Sequence, residues 1–296
     1  MFWVPTRNLS EKVFLAISQC ALGFLCLIVV SGALVRLTGS GLGCIDWPGC
    51  SQTKFVDIST GHSAIEQINR LFTGVVSAAV AASALGSFFV SPRQRKTIWL
   101  AIGLVIGVFV QVLLGALVVI TGLNPWSNMA HFLVSLALIT TAVLLVEQAK
   151  PELKKRSDSV SALSQVSLRT SKLIVVMCGI AIVFGTLVTG TGPHAGDEKA
   201  IRLGFDLRTI TRAHSMFVLL CVGLTLFLFV RIKKQTREWE ILGRPLEIFL
   251  AAAVAQGALG YLQYFSGVPA QMVALHVALA IAVWISALKL GLAARS

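Results

Sequence analysis

The chain carries five histidines, and three of them sit in a register that points to metal chemistry. His131 and His276 lie 145 positions apart, and the same offset carries Gln111, Gly115 and Gly122 onto Gln256, Gly260 and Gly267. It also carries Asn69 onto His214, so the pair His214 and His276 occurs once complete and once with its first member replaced. Both pairs have the same internal spacing of 62 residues. A histidine within an apolar segment is costly to bury alone and usually has a partner, of which metal is one good candidate. Two imidazoles from facing helices at one depth can ligate an iron held between them. Polar bridging between helices is the bland alternative, but a pair repeated in register favours haem ligation by His214 and His276.

The elements that must hold these residues are membrane helices. Of the 296 residues, 56% are hydrophobic and only 13% charged, with mean hydropathy +0.82. A soluble domain of this size cannot hide so much apolar surface. Eight stretches of about 20 residues or more are long enough to span a bilayer. They fall near 14–36, 66–90, 97–121, 127–147, 171–190, 209–230, 245–265 and 270–290. The first is longer than a signal-peptide core and reads as a retained helix. The expected architecture is an all-α polytopic membrane protein with eight transmembrane helices in two pseudo-symmetric four-helix bundles. Residues 1–150 form the first half, 151–170 a polar cytoplasmic linker containing Pro151 and a basic cluster, and 171–296 the second half. Helices two and four of a half run the same way, which brings Asn69 with His131, and His214 with His276, to similar depth.

The net charge of +12 reports topology rather than nucleic-acid binding. Counted on alternate sides of the eight spans, Lys and Arg divide 18 to 7, with Arg93, Arg95, Lys96, Lys154, Lys155 and Arg231 on the rich side. That is the positive-inside pattern and puts both termini in the cytoplasm. No aromatic pattern interleaves these basic loops, so no nucleic acid is expected.

Four of the six cysteines, Cys20, Cys26, Cys178 and Cys221, fall within spans and read as small apolar packing. Cys44 and Cys50 lie in a loop assigned to the outside, where disulfides persist, with Asp46, Trp47 and Pro48 between them. A disulfide is favoured over two free thiols, and a redox-exchange role stays open. The repeat also includes Gly32-Ala33-Leu34-Val35 and Gly185-Thr186-Leu187-Val188, here at an offset of 153. The intervening outer loops therefore differ in length.

The run from Gly32 through Cys44-Ile45-Asp46-Trp47-Pro48-Gly49-Cys50 resembles the haem A synthase family. So do Glu66-Gln67-Ile68-Asn69-Arg70, Gly115-Ala116-Leu117-Val118, Thr121 to Trp126 ahead of His131, and Gly192-Pro193-His194-Ala195-Gly196-Asp197. The resemblance covers essentially the whole chain. It implies eight helices in two halves and oxidation of the C8 methyl of haem O to a formyl group, giving haem A for cytochrome oxidases. It implies a resident haem b, with its iron on His214 and His276, and a substrate haem O on His131 in the first half. Partners implied are haem O synthase, an electron donor and the lipid bilayer of the cell membrane; homo-oligomerisation is left open.

Two departures matter. Asn69 stands where the family's common Glu-x-x-His-Arg motif has histidine, with His62 the nearby substitute, an arrangement that some members carry. On a continuous helix His62 lies about 10 Å further out than Asn69, so it reaches an iron at the depth of His131 only if the preceding loop folds inward. The outer loop of the second half also lacks a cysteine pair. Glu66 is the expected catalytic carboxylate, against an i,i+4 salt bridge with Arg70 as the structural alternative. Arg36, Arg70, Arg202, Arg208 and Arg212 lie at the outer face as candidates for haem propionates or structural support. His194 reads as a loop residue. A non-enzymatic dihaem electron carrier is the competing function; a carrier has reason to keep both irons doubly ligated, which Asn69 opposes. A transporter built on internal repeats is disfavoured by the shortage of carboxylates in the spans.

Overall fold

The computed structural model describes residues 9–150 and 163–294. Eight helices follow one another: α1 (Glu11–Leu37), α2 (Gly61–Phe89), α3 (Arg95–Ile120), α4 (Pro125–Ala149), α5 (Gln165–Thr191), α6 (Leu207–Ile232), α7 (Thr236–Phe265) and α8 (Ala270–Ala293). Each is long and apolar enough to cross a membrane, and among the described residues the remainder is loop apart from one isolated bridge between Leu9 and Val90. The expected linker falls largely outside the described residues, at 151–162, together with Arg7, Lys154, Lys155, Arg156 and Arg295.

The helix ends follow capping chemistry. Thr60 and Ser63 form a capping box at α2, Asn124 caps α4 with Pro125 at its first position, and Ser164 caps α5. Asp206 caps α6, accepting from the Thr209 amide at 2.8 Å and hydroxyl at 2.6 Å. The Thr209 hydroxyl and amide hold the Asp206 carboxyl below its ordinary range. This cap therefore contributes above the unfolded carboxylate pKa and is lost as pH falls through the lowered one.

Two helices begin well before the apolar stretch that marks them. α7 starts at Thr236 rather than near 245, and α5 at Gln165 rather than near 171. One residue explains both. Glu238, in the first turn of α7, is buried and accepts from the Ser164 amide at 2.8 Å and the Ser167 hydroxyl at 2.5 Å. A carboxylate on the N-terminus of α5 satisfies donors that would otherwise be orphaned, and it ties the two helix starts together.

The buried residues form two clusters. Phe14, Leu25, Val80, Leu104 and Ile139 dominate the one built from α1–α4, and Ile174, Leu228, Leu242, Leu246 and Phe249 the one built from α5–α8. Each half packs its helices as hairpins, and α1 and α4 also meet α8, with α4 against α5. Trp284 of α8 sits on the margin of both clusters and donates its indole N–H to Thr140 Oγ1 at 2.9 Å. Large apolar side chains such as Leu27, Phe109, Leu219 and Phe227 stay exposed on the helix faces, as lipid contact requires.

The turns after α3 and α7 repeat as closely as the motifs do. Gly122-Leu123 and Gly267-Val268 all have positive φ, at 62°, 61°, 76° and 59°. Leu123 N–H donates to Val118 O at 2.8 Å, and Val268 N–H to Gln263 O at 2.9 Å. A left-handed β-branched residue is a costly conformation, so the surroundings must enforce the turn. They do so at Val268, whose carbonyl is hydrogen-bonded to His194 Nε2 at 2.8 Å, and at Leu123, which is buried against the loops carrying Gly41 and Gly196. Those loops join directly, Gly41 N–H donating to Gly196 O at 3.0 Å.

Candidate functional site

In the second half, His214 lies two turns into α6, with its Nδ1 2.8 Å from the carbonyl of Ala181 on α5. A carbonyl only accepts, so Nδ1 carries the proton and the Nε2 lone pair is left for a metal. His276 lies in the second turn of α8. Gln256 Nε2 donates to the His276 backbone carbonyl at 2.9 Å. Glycines face both rings. A Cβ on Gly185 would lie 3.3 Å from His214 Cε1, and one on Gly260 only 3.0 Å from His276 Cε1. These glycines give the imidazoles their space, a more specific role than general helix packing.

That contact predicts a graded outcome. Gly260→Ala pushes the His276 ring aside and should lower retention of the bound group by about 10-fold or more, the scale of disturbed outer-shell support. Gly115→Ala, whose added carbon would lie 3.6 Å from His131 Cε1, should be tolerated. Absorbance per chain of the two purified variants checks the difference.

The first half repeats half of this arrangement. His131 is one turn into α4, and Gln111 Nε2 donates to its backbone carbonyl at 3.1 Å, as Gln256 does for His276. Gln111 also bonds Ser135 Oγ. In each half the histidine Nδ1 and the glutamine Oε1 are buried with no hydrogen-bond partner among the described residues. At the other member of the pair the halves part. Asn69 Oδ1 lies 2.7 Å from Ser31 Oγ, which in turn lies 3.1 Å from Ile28 O. By the offset of 153, Ile28 is the counterpart of Ala181, and Ser31 that of Phe184. The carbonyl that takes an imidazole in the second half thus takes a serine hydroxyl in the first. Ser31 carries no signal in the sequence read alone; only the aligned repeat singles it out.

His62 lies in the first turn of α2, exposed, with Nδ1 2.9 Å from Ser40 Oγ. The helix runs without interruption from Gly61, so no inward-folded loop carries His62 toward the depth of Asn69.

Cys44 and Cys50 are joined in a disulfide, and both are buried. Glu66, 5% exposed, accepts from the Cys44 amide at 2.7 Å through Oε2 and from Arg70 at 2.6 and 3.0 Å through Oε1. Arg70 spends its remaining nitrogen on the carbonyls of Asp46 and Gly49, each at 3.1 Å. The pair clamps the disulfide-closed loop from inside. Glu66→Gln removes the charge that Arg70 faces and should cost about 3 kcal/mol, since breaking a buried pair strands its partner. A drop in the thermal unfolding midpoint of the solubilised protein checks it.

Among the candidate arginines, Arg202 bonds the Gly192 carbonyl, and the Arg36 side chain packs over Gly196. Arg212, two residues before His214, is exposed.

The residues fit a haem in the second half: two imidazoles from different helices, one with its tautomer set, each faced by a glycine. Among the described residues no group of three or more His, Cys, Asp or Glu converges to hold an ion without help. A tetrapyrrole brings four nitrogens of its own and asks only two axial ligands of the protein.

Fold and site together define a multi-pass, all-helical membrane protein whose duplicated halves present histidines suited to haem. The model of the cytochrome oxidase assembly protein family (COX15-CtaA) matches residues 15–67 and 56–288, and the chain belongs to that family. It is similar to the haem A synthase of Listeria monocytogenes, 26% identical over 256 residues, covering 81% of this chain and 82% of the relative. It is also 37% identical over 134 residues to the haem A synthase of Bacillus pumilus and 35% identical over 136 residues to that of Bacillus licheniformis. Those alignments cover 43% of both chains in the first case, and 45% of this chain and 44% of the relative in the second.

Proposed function

We propose that this protein is a haem A synthase, an oxidoreductase that converts the C8 methyl of haem O to a formyl group. The observation that carries the reading is the broken repeat: a complete imidazole pair in one half, and a single imidazole opposite Asn69 in the other. His214 and His276 would hold haem b, which would supply a one-electron iron couple there. His214 would contribute Nε2, its ring held by the Ala181 carbonyl, and His276 would contribute a second imidazole, with Gln256 fixing its backbone. Arg212 offers an exposed guanidinium to a propionate at that end.

Haem O is assigned to the first half, with His131 as its protein ligand. A site with one imidazole holds its guest less firmly than one with two, which suits a substrate that enters and a product that leaves. Glu66 serves as a fixed negative charge, because Arg70 and the Cys44 amide occupy both oxygens. Arg70 serves as structural support for the loop. The division into residues 1–150 and 171–296 corresponds to these two sites. The 18-to-7 distribution of basic residues supports a cell-membrane protein with both termini cytoplasmic and the histidines toward the outer face. A haem O synthase is the expected supplier of substrate, and a membrane electron donor the expected partner.

Co-expression with a source of haem O, followed by extraction and chromatography of the haems, tests this reading. Haem A and its hydroxylated precursor are expected. Haem O accumulating alone on folded protein would exclude it. His62→Ala in the same assay is expected to leave haem A formation within about threefold of the parent, whereas loss of product would assign His62 as a substrate ligand.

A further inference from the structure

We propose that Asn69 and Ser31 form the distal wall of the first-half site, a polar pocket that hydrogen-bonds a small neutral ligand, water or a diatomic gas, on the face of the haem opposite His131. The proposal rests on the assignment of haem O to that half.

Equivalent positions of the two halves carry the argument. The second half places an imidazole at 214 and a phenyl ring at 184, and Phe184 stacks on Phe217 at 4.8 Å between centroids. The first half places an amide and a hydroxyl at the corresponding positions, bonded to each other at 2.7 Å. Both exchanges shorten the side chain, and the second puts a hydroxyl where the other half has a phenyl ring. The freed volume stays open: a Cβ on Gly32 would meet nothing within 4 Å, while one on its counterpart Gly185 would meet His214.

The hydrogen-bond inventory leaves a group to spare. Ser31 has one proton for two acceptors, Ile28 O and Asn69 Oδ1. If it goes to Asn69, the amide nitrogen of Asn69 has no partner among the described residues. If it goes to Ile28, the amide turns to donate to Ser31 and leaves its oxygen free. In either state Asn69 keeps one unspent polar atom beside open space and ends short of where an imidazole would reach. Such an atom can contact a small ligand bound between it and the iron. It cannot itself serve as an ordinary imidazole-like ligand. The polarity of a distal pocket governs which small molecules bind and how they are held.

Carbon monoxide is the probe, applied to reduced, detergent-solubilised full-length protein loaded with haem O. CO is expected to bind in an amount equal to the haem O present and to leave the resident haem untouched. Its infrared stretch should shift in Ser31→Ala and in Asn69→Leu. Asn69→His, made together with Ser31→Ala to free the Ile28 carbonyl, should abolish CO binding and add a second low-spin haem signal. The low-spin signal of the resident haem shows that each variant is folded. Haem O that is retained but inert to CO, or a stretch unmoved by both substitutions, overturns the pocket. CO binding gained only in His62→Ala overturns it also, by making His62 the sixth ligand. Failure of folded protein to retain haem O at all would instead defeat the functional assignment beneath it.

Discussion

His276→Ala should leave the protein almost without resident haem, with haem b per chain falling by more than about 100-fold in retention affinity. Disturbing an outer-shell partner of a metal ligand already costs about 10–100-fold, and this variant would remove a proposed ligand itself. His214→Ala should match it, since the proposed site relies on both imidazoles to hold the haem. The two positions are not equal in every respect. His214 is pre-set by its bond to the Ala181 carbonyl, so its replacement also removes a part-buried hydrogen bond, although that carbonyl keeps its helical partner. His214→Ala should therefore be the less stable of the two variants even when neither holds haem. Haem content per chain, with the low-spin electron paramagnetic resonance signal, reads the first effect; thermal unfolding of the haem-free proteins reads the second. Full haem b content in either variant would remove that histidine from the site.

His131→Ala should do the opposite to the pigment and the same to the product. Resident haem b should remain at the parental level, while haem A formation falls by more than about 100-fold, equivalent to losing about 2.7 kcal/mol or more of transition-state stabilisation. His131 is the one imidazole of the first-half pair, so nothing else of its kind compensates. Gln111 and Ser135, which hold its backbone carbonyl, remain in place, and the helix should stay folded. Separate assays of bound haem b and haem product distinguish the two halves. A variant that loses both would mean that the halves do not hold separate haems.

Much of this was legible in the residues. The 145-residue register put His131, His214 and His276 on helices of matching direction, and the apolar stretches located all eight spans. The register showed Asn69 as the break. What it could not show was Ser31, because the first helix of each half repeats at 153 rather than 145, and the backbone carbonyls of Ile28 and Ala181 leave no mark in a sequence. The early start of α7 was hidden for a related reason: Glu238 and Arg237 lower the hydropathy of a turn that is helical because its carboxylate caps a neighbour. The pairing of Glu66 with Arg70 was visible as an i,i+4 spacing. Its use as a clamp on the disulfide loop was not, since Cys44, Asp46 and Gly49 are over twenty positions away along the chain.

On the proposed function, one chain holds two unlike haems, one kept and one converted. Purified protein carrying only its resident haem should be supplied with haem O, an electron donor and oxygen, and its haems extracted and chromatographed over time. The predicted result is conversion of haem O to haem A while haem b per chain stays constant. Loss of haem b in step with product, or haem O unchanged beside intact haem b, would contradict the account.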